Sequence, residues 1–245
     1  MKFIYVLIIS LLLYLYINNN PSIIKFGGNN LIYNMPMIYV INLDKRPERW
    51  ESVHKQLEYQ NLQHIRFSAV DGTTITDIDK KKYVSDEGLK EKQFGLSLSN
   101  GGIGLGITFY KLLLLSIETH KDIIIMEDDI TLHDNFKNNF MNIIQHLKDI
   151  DYDIVYIGYH KITDKSHIQI INKYISKSKS GTQLNGTFGL FIPYNKCKKI
   201  LDEMYPLRWQ IDTELYMTNL NRYIVNTPLL SSPPSDLTNS DIQEF

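Results

Sequence analysis

Short apolar runs alternate with helix-forming segments along this chain from Met37 onward. Met37–Asn42 (MIYVIN) is apolar and ends in a polar residue, as a buried parallel strand does. Pro47 follows, and proline is a residue favoured in the first turn of a helix. Because each helix in such a pattern must cross over the sheet, the alternation predicts one α/β domain with a doubly wound, mostly parallel sheet.

The same pattern continues through the rest of the chain. Further strands are predicted at Ile65–Val70, Ile123–Met126, Ile154–Ile157 and Phe188–Ile192. Further helices are predicted at 107–118, 135–147 and 195–204, the first of them fed by the glycine-dense segment Gly101–Gly106. Loops are predicted at the polar segments 73–92, which has room for one irregular helix, and 158–183.

The amino terminus has a different character. Residues 3–17 are apolar apart from Ser10, and no small-residue cleavage site follows them. We interpret residues 1–17 as an uncleaved signal-anchor in the membrane, with a cleaved signal peptide or a buried helix as alternatives. Residues 18–36 would then be a stem, and residues 37–245 the folded domain, which we expect on the lumenal side of an endoplasmic reticulum or Golgi-like membrane.

Charge and cysteine content exclude several classes of protein. The 26 basic and 27 acidic residues give a net charge of −1, which argues against a nucleic-acid-binding surface. Cys197 is the only cysteine, so the chain has neither an intrachain disulfide nor a cysteine-rich metal site. Its helical segment places it on an apolar face, which predicts a buried thiol.

The segment IIIMEDD carries the strongest chemical signal. Glu127, Asp128 and Asp129 directly follow a buried strand, at the carboxyl edge where open α/β sheets bind ligands. Crowded carboxylates repel each other unless a cation or hydrogen bonds compensate. Oxygen ligands suit Mn²⁺ or Mg²⁺, which can also hold a diphosphate. Solvated acidic loops are common, however, so the triplet alone leaves both interpretations open.

Two other strand ends carry polar residues. The first leads into INLDKRPER, where Arg46 and Arg49 share one face of a helix start and could approach a phosphate. The second ends in AVDG, where Asp71 could accept hydrogen bonds from ribose hydroxyls. Singly, an exposed charged helix or an ordinary turn explains each segment. Together with the acidic triplet, they predict a nucleotide-plus-metal site at one sheet edge.

Seven motifs, in the same order, are similar to those of glycosyltransferase family 25 over about residues 37–243. They are INLDKRPER, AVDG, GGIGLG, IIIMEDD, DIVYIG, NGTFGLFI and Pro206…Ile211-Asp212. That family includes lipooligosaccharide galactosyltransferases and collagen hydroxylysine galactosyltransferases. The resemblance implies a single GT-A-like domain that binds a UDP-sugar. It also implies metal-dependent transfer of galactose or glucose, with inversion, to a hydroxyl of a glycan or of a hydroxylated protein.

The resemblance also assigns site residues. Those expected to line the donor nucleotide are Asn42, Arg46, Arg49, Asp71 and Gly72, together with Gly104 of the glycine-rich segment. Glu127 and Asp129 would bind the Mn²⁺ or Mg²⁺ ion, with Asp128 near the ribose or donor sugar.

The acceptor side rests on Asp212, which falls where the family has an acidic residue. Asp212 is the candidate base, with Glu214 as runner-up, although Asp212 could instead cap a helix over 213–220. The chain departs from the family at the glycine-rich segment, where Gly102 replaces an acidic residue and Thr108-Phe109 replace a Ser-His pair. That departure leaves open a catalytically inactive member that binds sugar or protein.

Overall fold

The computed structural model describes residues 33–90, 98–160, 162, 165–179, 182, 184, 186 and 188–233. The predicted signal-anchor and most of the predicted stem lie outside these residues. The end of the stem is packed, since the Tyr33 hydroxyl donates a hydrogen bond of 2.8 Å to Asp122 Oδ2 and Met35 contacts the core.

Strands and helices alternate along the described residues. The strands are β1 Met37–Asn42, β2 His64–Ser68, β3 Ile123–Glu127, β4 Thr131–Leu132, β5 Ile154–Gly158, β6 Ile168–Ile170, β7 Ile175–Ser178, β8 Gly189–Ile192, β9 Arg222–Val225 and β10 Leu230–Ser231. The α-helices are α1 Pro47–Tyr59, α2 Asp77–Tyr83, α3 Asn100–Thr119, α4 Phe136–Leu147, α5 Tyr194–Met204 and α6 Ile211–Met217, and Gly72–Thr74 form a 3₁₀ turn.

Eight of these strands form one sheet in the order β2-β1-β3-β8-β5-β9-β7-β6. Strands β2, β1 and β3 are parallel, and β5 is parallel to β9. Strands β8 and β7 each pair antiparallel with both neighbours, so six of the eight strands run in one direction. The sheet is therefore mixed, although most strands share one direction as predicted.

Helices cover both faces of the sheet, which confirms the predicted α/β class. On one face, α1 and α4 pack Leu57 and Phe140 against strand residues such as Val40. On the other, α3, α5 and α6 pack Leu112, Cys197 and further apolar residues against the opposite side of the same strands. Alternate side chains of β3 enter opposite clusters, because successive side chains of a strand point to opposite faces.

The structure extends one predicted helix and adds strands that the pattern did not predict. Helix α3 begins at Asn100, so the glycine-dense segment lies inside it and not before it. The Ser99 side chain caps this helix by accepting a hydrogen bond of 3.0 Å from the Gly102 backbone amide. Part of the predicted loop 158–183 forms the hairpin β6–β7, and β9 inserts between β5 and β7.

Helix α3 is long and apolar enough to cross a membrane by length and composition. Just over half of its most apolar window, 56%, is nevertheless buried inside the domain. Leu112 and Leu113 are completely buried in the core between α3 and the sheet. We interpret α3 as the central core helix.

Candidate active site

The carboxyl ends of β2, β1 and β3 meet at one sheet edge. In the parallel registers Asn42 pairs with Ser68 and Ile41 pairs with Glu127, so the three strands end almost level. The segments that follow these strands surround a single cleft. Its lining includes Leu43, Lys45, Arg49, Ala69, Val70, Asp71, Gly72, Thr73, Gly101, Leu105, Glu127, Asp128 and Asp129.

Asn42 links the three segments from a buried position, 1% exposed. Its Nδ2 donates to Asp128 Oδ2 at 2.6 Å and to the Arg46 carbonyl oxygen at 2.9 Å. Its Oδ1 accepts from Arg66 Nε at 2.7 Å, and Arg66 also pairs with Asp44 at 2.6 Å. The predicted nucleotide residue Asn42 is thus a fixed connector behind the cleft and is absent from the cleft lining.

Asp128 is a largely buried carboxylate of the acidic triplet. Arg49 Nη1 lies 3.5 Å from Asp128 Oδ1, and the Asp128 side chain is only 11% exposed. Burial raises the pKa of Asp128 above its ordinary value, because it outweighs the opposing effects of Asn42 and Arg49. Asp128 is consequently engaged with β1 and α1, while Glu127 and Asp129 line the same cleft.

The cleft contains the donor type that the predicted cation prefers. Glu127, Asp128 and Asp129 all line the cleft, and Ser232 Oγ lies 3.3 Å from Asp129 Oδ1. Hard oxygen donors of this kind suit Mn²⁺ or Mg²⁺. Burial of negative charge beside them also favours a bound cation.

Asp71 lies on the opposite wall of the same cleft. Its Oδ1 accepts hydrogen bonds of 2.9 Å from the Thr73 backbone amide and hydroxyl, and Lys45 Nζ lies 3.0 Å from Oδ2. The Thr73 backbone hydrogen bond, followed by the one from Lys45, holds the pKa of Asp71 below its ordinary value. Asp71 is therefore a charged acceptor, as a role toward ribose hydroxyls requires.

Two glycines allow this wall to approach α3. A Cβ at Gly72 would lie 2.6 Å from the Gly101 backbone nitrogen, and a Cβ at Gly104 would overlap the Val70 carbonyl oxygen. Thr108 fastens the same contact, accepting from the Val70 amide at 2.9 Å and donating to the Gly104 carbonyl at 2.8 Å. Gly104 thus acts in packing, and Gly101 is the glycine of α3 that reaches the cleft.

The structure separates other predicted site residues from the cleft lining. Arg46 is the residue before α1; its side chain lies 3.9 Å from Glu48, and Arg49 is the arginine that lines the cleft. Phe109, at the position of the family histidine, is 2% exposed and packs in the core. An aromatic hydrocarbon ring is accommodated there because its neighbours are apolar.

Asp212 lies in the first turn of α6 and not at the N-cap, which is Gln210, so the helix-cap alternative is wrong. Its Oδ1 accepts from the Thr213 amide at 2.7 Å. A Cβ on Gly102 would meet Gln210 Cγ at 3.3 Å, so the start of α6 packs beside the start of α3. Asp212 itself is absent from the residues that line the cleft.

Glu214 is completely buried and is used within the fold. Its carboxylate accepts hydrogen bonds from the backbone amides of Arg208 and Trp209, the latter at 2.8 Å, and pairs with Arg208 Nη2 at 3.0 Å. Because three hydrogen-bond donors already contact the Glu214 carboxylate, it has little capacity left to bind the hydroxyl of an acceptor substrate. Glu214 is thus occupied within the fold, and Asp212 remains the candidate base that the sequence predicts.

Lys45 and Arg66 are the site residues that sequence reasoning missed. Lys45 lies within INLDKRPER and could have been included with its neighbours. Arg66 lies in the middle of β2, where only the tertiary structure reveals that it supports Asn42.

The geometry agrees with the comparison of sequences. The model of glycosyltransferase family 25, described as an LPS biosynthesis protein family, matches residues 35–215. The chain belongs to glycosyltransferase family 25. The match includes the three strand ends of the cleft and extends to α6.

Individual relatives agree with this assignment. A glycosyltransferase 25 family member of Drosophila pseudoobscura pseudoobscura is 26% identical over 53% of this chain and 21% of its own length. A member from Aedes aegypti is 23% identical over 74% of this chain and 30% of its own length. A rat protein named probable inactive glycosyltransferase 25 family member 3 is 21% identical over 54% of this chain and 24% of its own length. The matched region therefore spans less than a third of these family 25 relatives.

Among solved structures, mouse xyloside xylosyltransferase 1 in its apo form aligns over 74% of this chain and 67% of its own chain. The identity is 9% and the TM-score is 0.35.

Proposed function

We propose that this family 25 protein is a metal-dependent glycosyltransferase. It would move galactose or glucose from a UDP-sugar to a hydroxyl of a glycan or of a hydroxylated protein, with inversion. The observation that carries the proposal is the cleft in which Glu127, Asp128 and Asp129 face Asp71, with Arg49 and Lys45 beside them. Carboxylates and cations at the carboxyl edge of parallel strands match the needs of a nucleotide diphosphate and its counter-ion.

Each wall of the cleft has a role in this proposal. Glu127 and Asp129 would hold Mn²⁺ or Mg²⁺, which when bound supplies positive charge to the diphosphate leaving group. Arg49 and Lys45 would add fixed positive charge near the phosphates. Asp71, already charged, would accept hydrogen bonds from the ribose.

The acceptor step needs a base on the side of the sugar opposite the diphosphate. Asp212 would take the proton of the acceptor hydroxyl as that oxygen forms a bond to the anomeric carbon. The bond from the anomeric carbon to the phosphate oxygen breaks at the same time, and UDP leaves with the electron pair. The transition state resembles the oxocarbenium ion of glycoside hydrolysis.

The experiment is Mn²⁺-dependent hydrolysis of UDP-galactose and UDP-glucose by the detergent-solubilised full chain. Asp129→Ala should lower the rate by at least about 100-fold, because the charge stabilisation of the leaving group is lost. Asp134→Ala is the matched control, since Asp134 is an exposed aspartate outside the cleft, and its rate should equal the wild-type rate. Equal rates for wild type and Asp129→Ala would remove Asp129 from the mechanism.

An inactive family member is the second candidate. Phe109 in place of the family histidine, and relatives that are named inactive, favour it. In that case the chain would bind a UDP-sugar, measurable by calorimetry, yet would hydrolyse neither donor and transfer neither sugar. The predicted membrane anchor at residues 1–17 belongs to both candidates and is tested by carbonate extraction of membranes that carry the full chain.

A further inference from the structure

A second group of metal-binding side chains lies at the edge of the sheet opposite the cleft. His54 and Glu58 are four residues apart on α1, and His64 is the first residue of β2. The side-chain donor atoms of the three residues all lie within 4.8 Å of one another. Because α1 runs back from the carboxyl edge to the start of β2, this group is separated from the cleft by the length of a strand, about 17 Å for five residues.

Hydrogen bonding fixes the tautomer of His64. Its Nδ1 lies 2.7 Å from the Leu62 carbonyl oxygen, which can only accept, so Nδ1 carries the proton. In the neutral ring Nε2 then holds a free electron pair, and it faces His54 Nδ1 at 2.7 Å. A ring whose outer N–H donates to a backbone carbonyl is the usual arrangement of a metal-binding histidine.

The distances suit a tetrahedral ion after a small adjustment. Two nitrogens that share a zinc ion at 2.0–2.1 Å lie about 3.3 Å apart, so the two rings must separate by about 0.6 Å. His54 is half-buried, and we expect rotation of its side chain to supply this movement. Its proton would shift from Nδ1 to Nε2, which requires no net release. Glu58 Oε1, 4.0 Å from His64 Nε2 and 64% exposed, is free to turn inward as the third ligand.

A hydrogen-bonded turn holds the backbone between α1 and β2. Asn61, two residues after the end of α1, is left-handed, and the Leu62 amide donates to the Leu57 carbonyl at 3.0 Å. The Trp50 ring stacks on His54, with centroids 5.0 Å apart. The last turn of α1 contains no basic residue, so the negative end of the helix dipole is available to a cation.

We infer that His54, Glu58 and His64 form a Zn²⁺ site that clamps the end of α1 to the start of β2. Two imidazoles and one carboxylate leave a fourth position open to water. This donor set prefers Zn²⁺, whereas the all-carboxylate cleft prefers Mn²⁺ or Mg²⁺. Because α1 also carries Arg49, the clamp would stabilise the helix on which one wall of the cleft depends.

The test is calorimetric titration of the metal-free, untagged full chain with Zn²⁺. We expect one site in the wild type and in Asp129→Ala, which separates this site from the cleft and from the proposed function. Loss of even an outer partner of a metal ligand costs about 10- to 100-fold in affinity, so His54→Gln and Glu58→Gln should each weaken binding by at least about tenfold. Glu51→Gln is the control, because Glu51 is an exposed glutamate of the same helix.

Co²⁺ can replace Zn²⁺ in a second test, because its binding at the same site can be measured by fluorescence and by visible absorption. The chain has two tryptophans, so Trp209→Phe leaves Trp50 alone beside His54. Co²⁺ should quench Trp50 fluorescence and give visible absorption bands in this background, and both signals should disappear with His54→Gln. Zn²⁺ should also raise the melting temperature of wild type and of Asp129→Ala, and should leave that of His54→Gln unchanged. If wild type takes up no Zn²⁺, or if His54→Gln and Glu58→Gln bind it as tightly as wild type, the pair is a plain histidine–histidine hydrogen bond and the inference is overturned.

Discussion

Asn42 Nδ2 donates a hydrogen bond of 2.6 Å to Asp128 Oδ2, joining the end of β1 to the residue after β3. The contact gives the largely buried Asp128 carboxylate a neutral donor in addition to Arg49. It also aligns the acidic triplet with α1, because the same amide group holds the Arg46 carbonyl. Position 42 therefore connects the acidic wall of the cleft, which contains Asp128, to the segment that leads into α1.

Asn42→Asp tests this connection without changing the side-chain volume. The new carboxylate would face Asp128, and in acid the two can share one proton. As pH rises through the raised pKa of the pair, both become charged in the folded state, so the loss of stability appears toward neutral pH and fades in acid. We expect a melting temperature clearly below wild type at pH 7.5 and a smaller difference at pH 5. The same difference at both pH values would contradict the shared-proton contact.

Gly104→Ala should destabilise the domain by about 1–3 kcal/mol, the range seen for overpacking a core. The added methyl group would overlap the Val70 carbonyl oxygen, which is backbone and cannot turn away. Gly102→Ala is the matched control on the same helix. The new Cβ would meet only side-chain atoms, at 3.3 Å or more, and alanine has a higher helix propensity than glycine. Urea unfolding of both variants decides the matter, and equal stabilities would refute the close approach of α3 to the Val70 backbone.

Arg222→Met should stabilise the domain by about 1–3 kcal/mol. Arg222 is 1% exposed, and within the described part of the chain neither terminal nitrogen has a hydrogen-bond partner. Burial also raises the pKa of the neighbouring Tyr156 to about 12, and the nearby Arg222 charge opposes this rise. Removing an unsatisfied buried cation removes a desolvation cost.

Arg66→Met is the matched control. It removes the hydrogen bond to Asn42, so the free energy of unfolding should fall. A less stable Arg222→Met protein would show that Arg222 contributes to the fold.

Cys197 should resist thiol reagents in the native protein. It is completely buried between α5 and α3, and burial raises the pKa of its thiol to about 11. Since the thiolate is the reactive form and little of it exists at pH 8, reaction with a disulfide reagent should require unfolding. The measured rate should rise in parallel with the unfolded fraction as urea is added. Rapid labelling without urea would mean that α5 opens locally.

The sequence predicted the fold class because the spacing of apolar residues along the chain reflects whether a segment is a helix or a strand. The strand ahead of Glu127 was predicted to within one residue, since its run is too short for a typical helix and is rich in β-branched isoleucine. Strand β9 was missed because Arg222 begins it, and a buried charged residue contradicts the pattern that identifies a buried strand. Helix α3 was predicted too short because glycine usually ends helices. Here the Ser99 cap and the close contact of Gly104 with Val70 keep the glycine-rich segment helical.

By itself, the sequence determined that three strands end in polar motifs, that these motifs have the composition of a nucleotide and metal site, and that they occur in the order of family 25. Those properties are local in sequence, so one chain is enough to establish them. Only the tertiary structure decided which side chains meet. It engaged Asp128 with Asn42 and Arg49, enclosed Glu214, and brought His54 to His64. Such pairings depend on strand order and on which helix packs on which face, and no periodicity in the sequence encodes them.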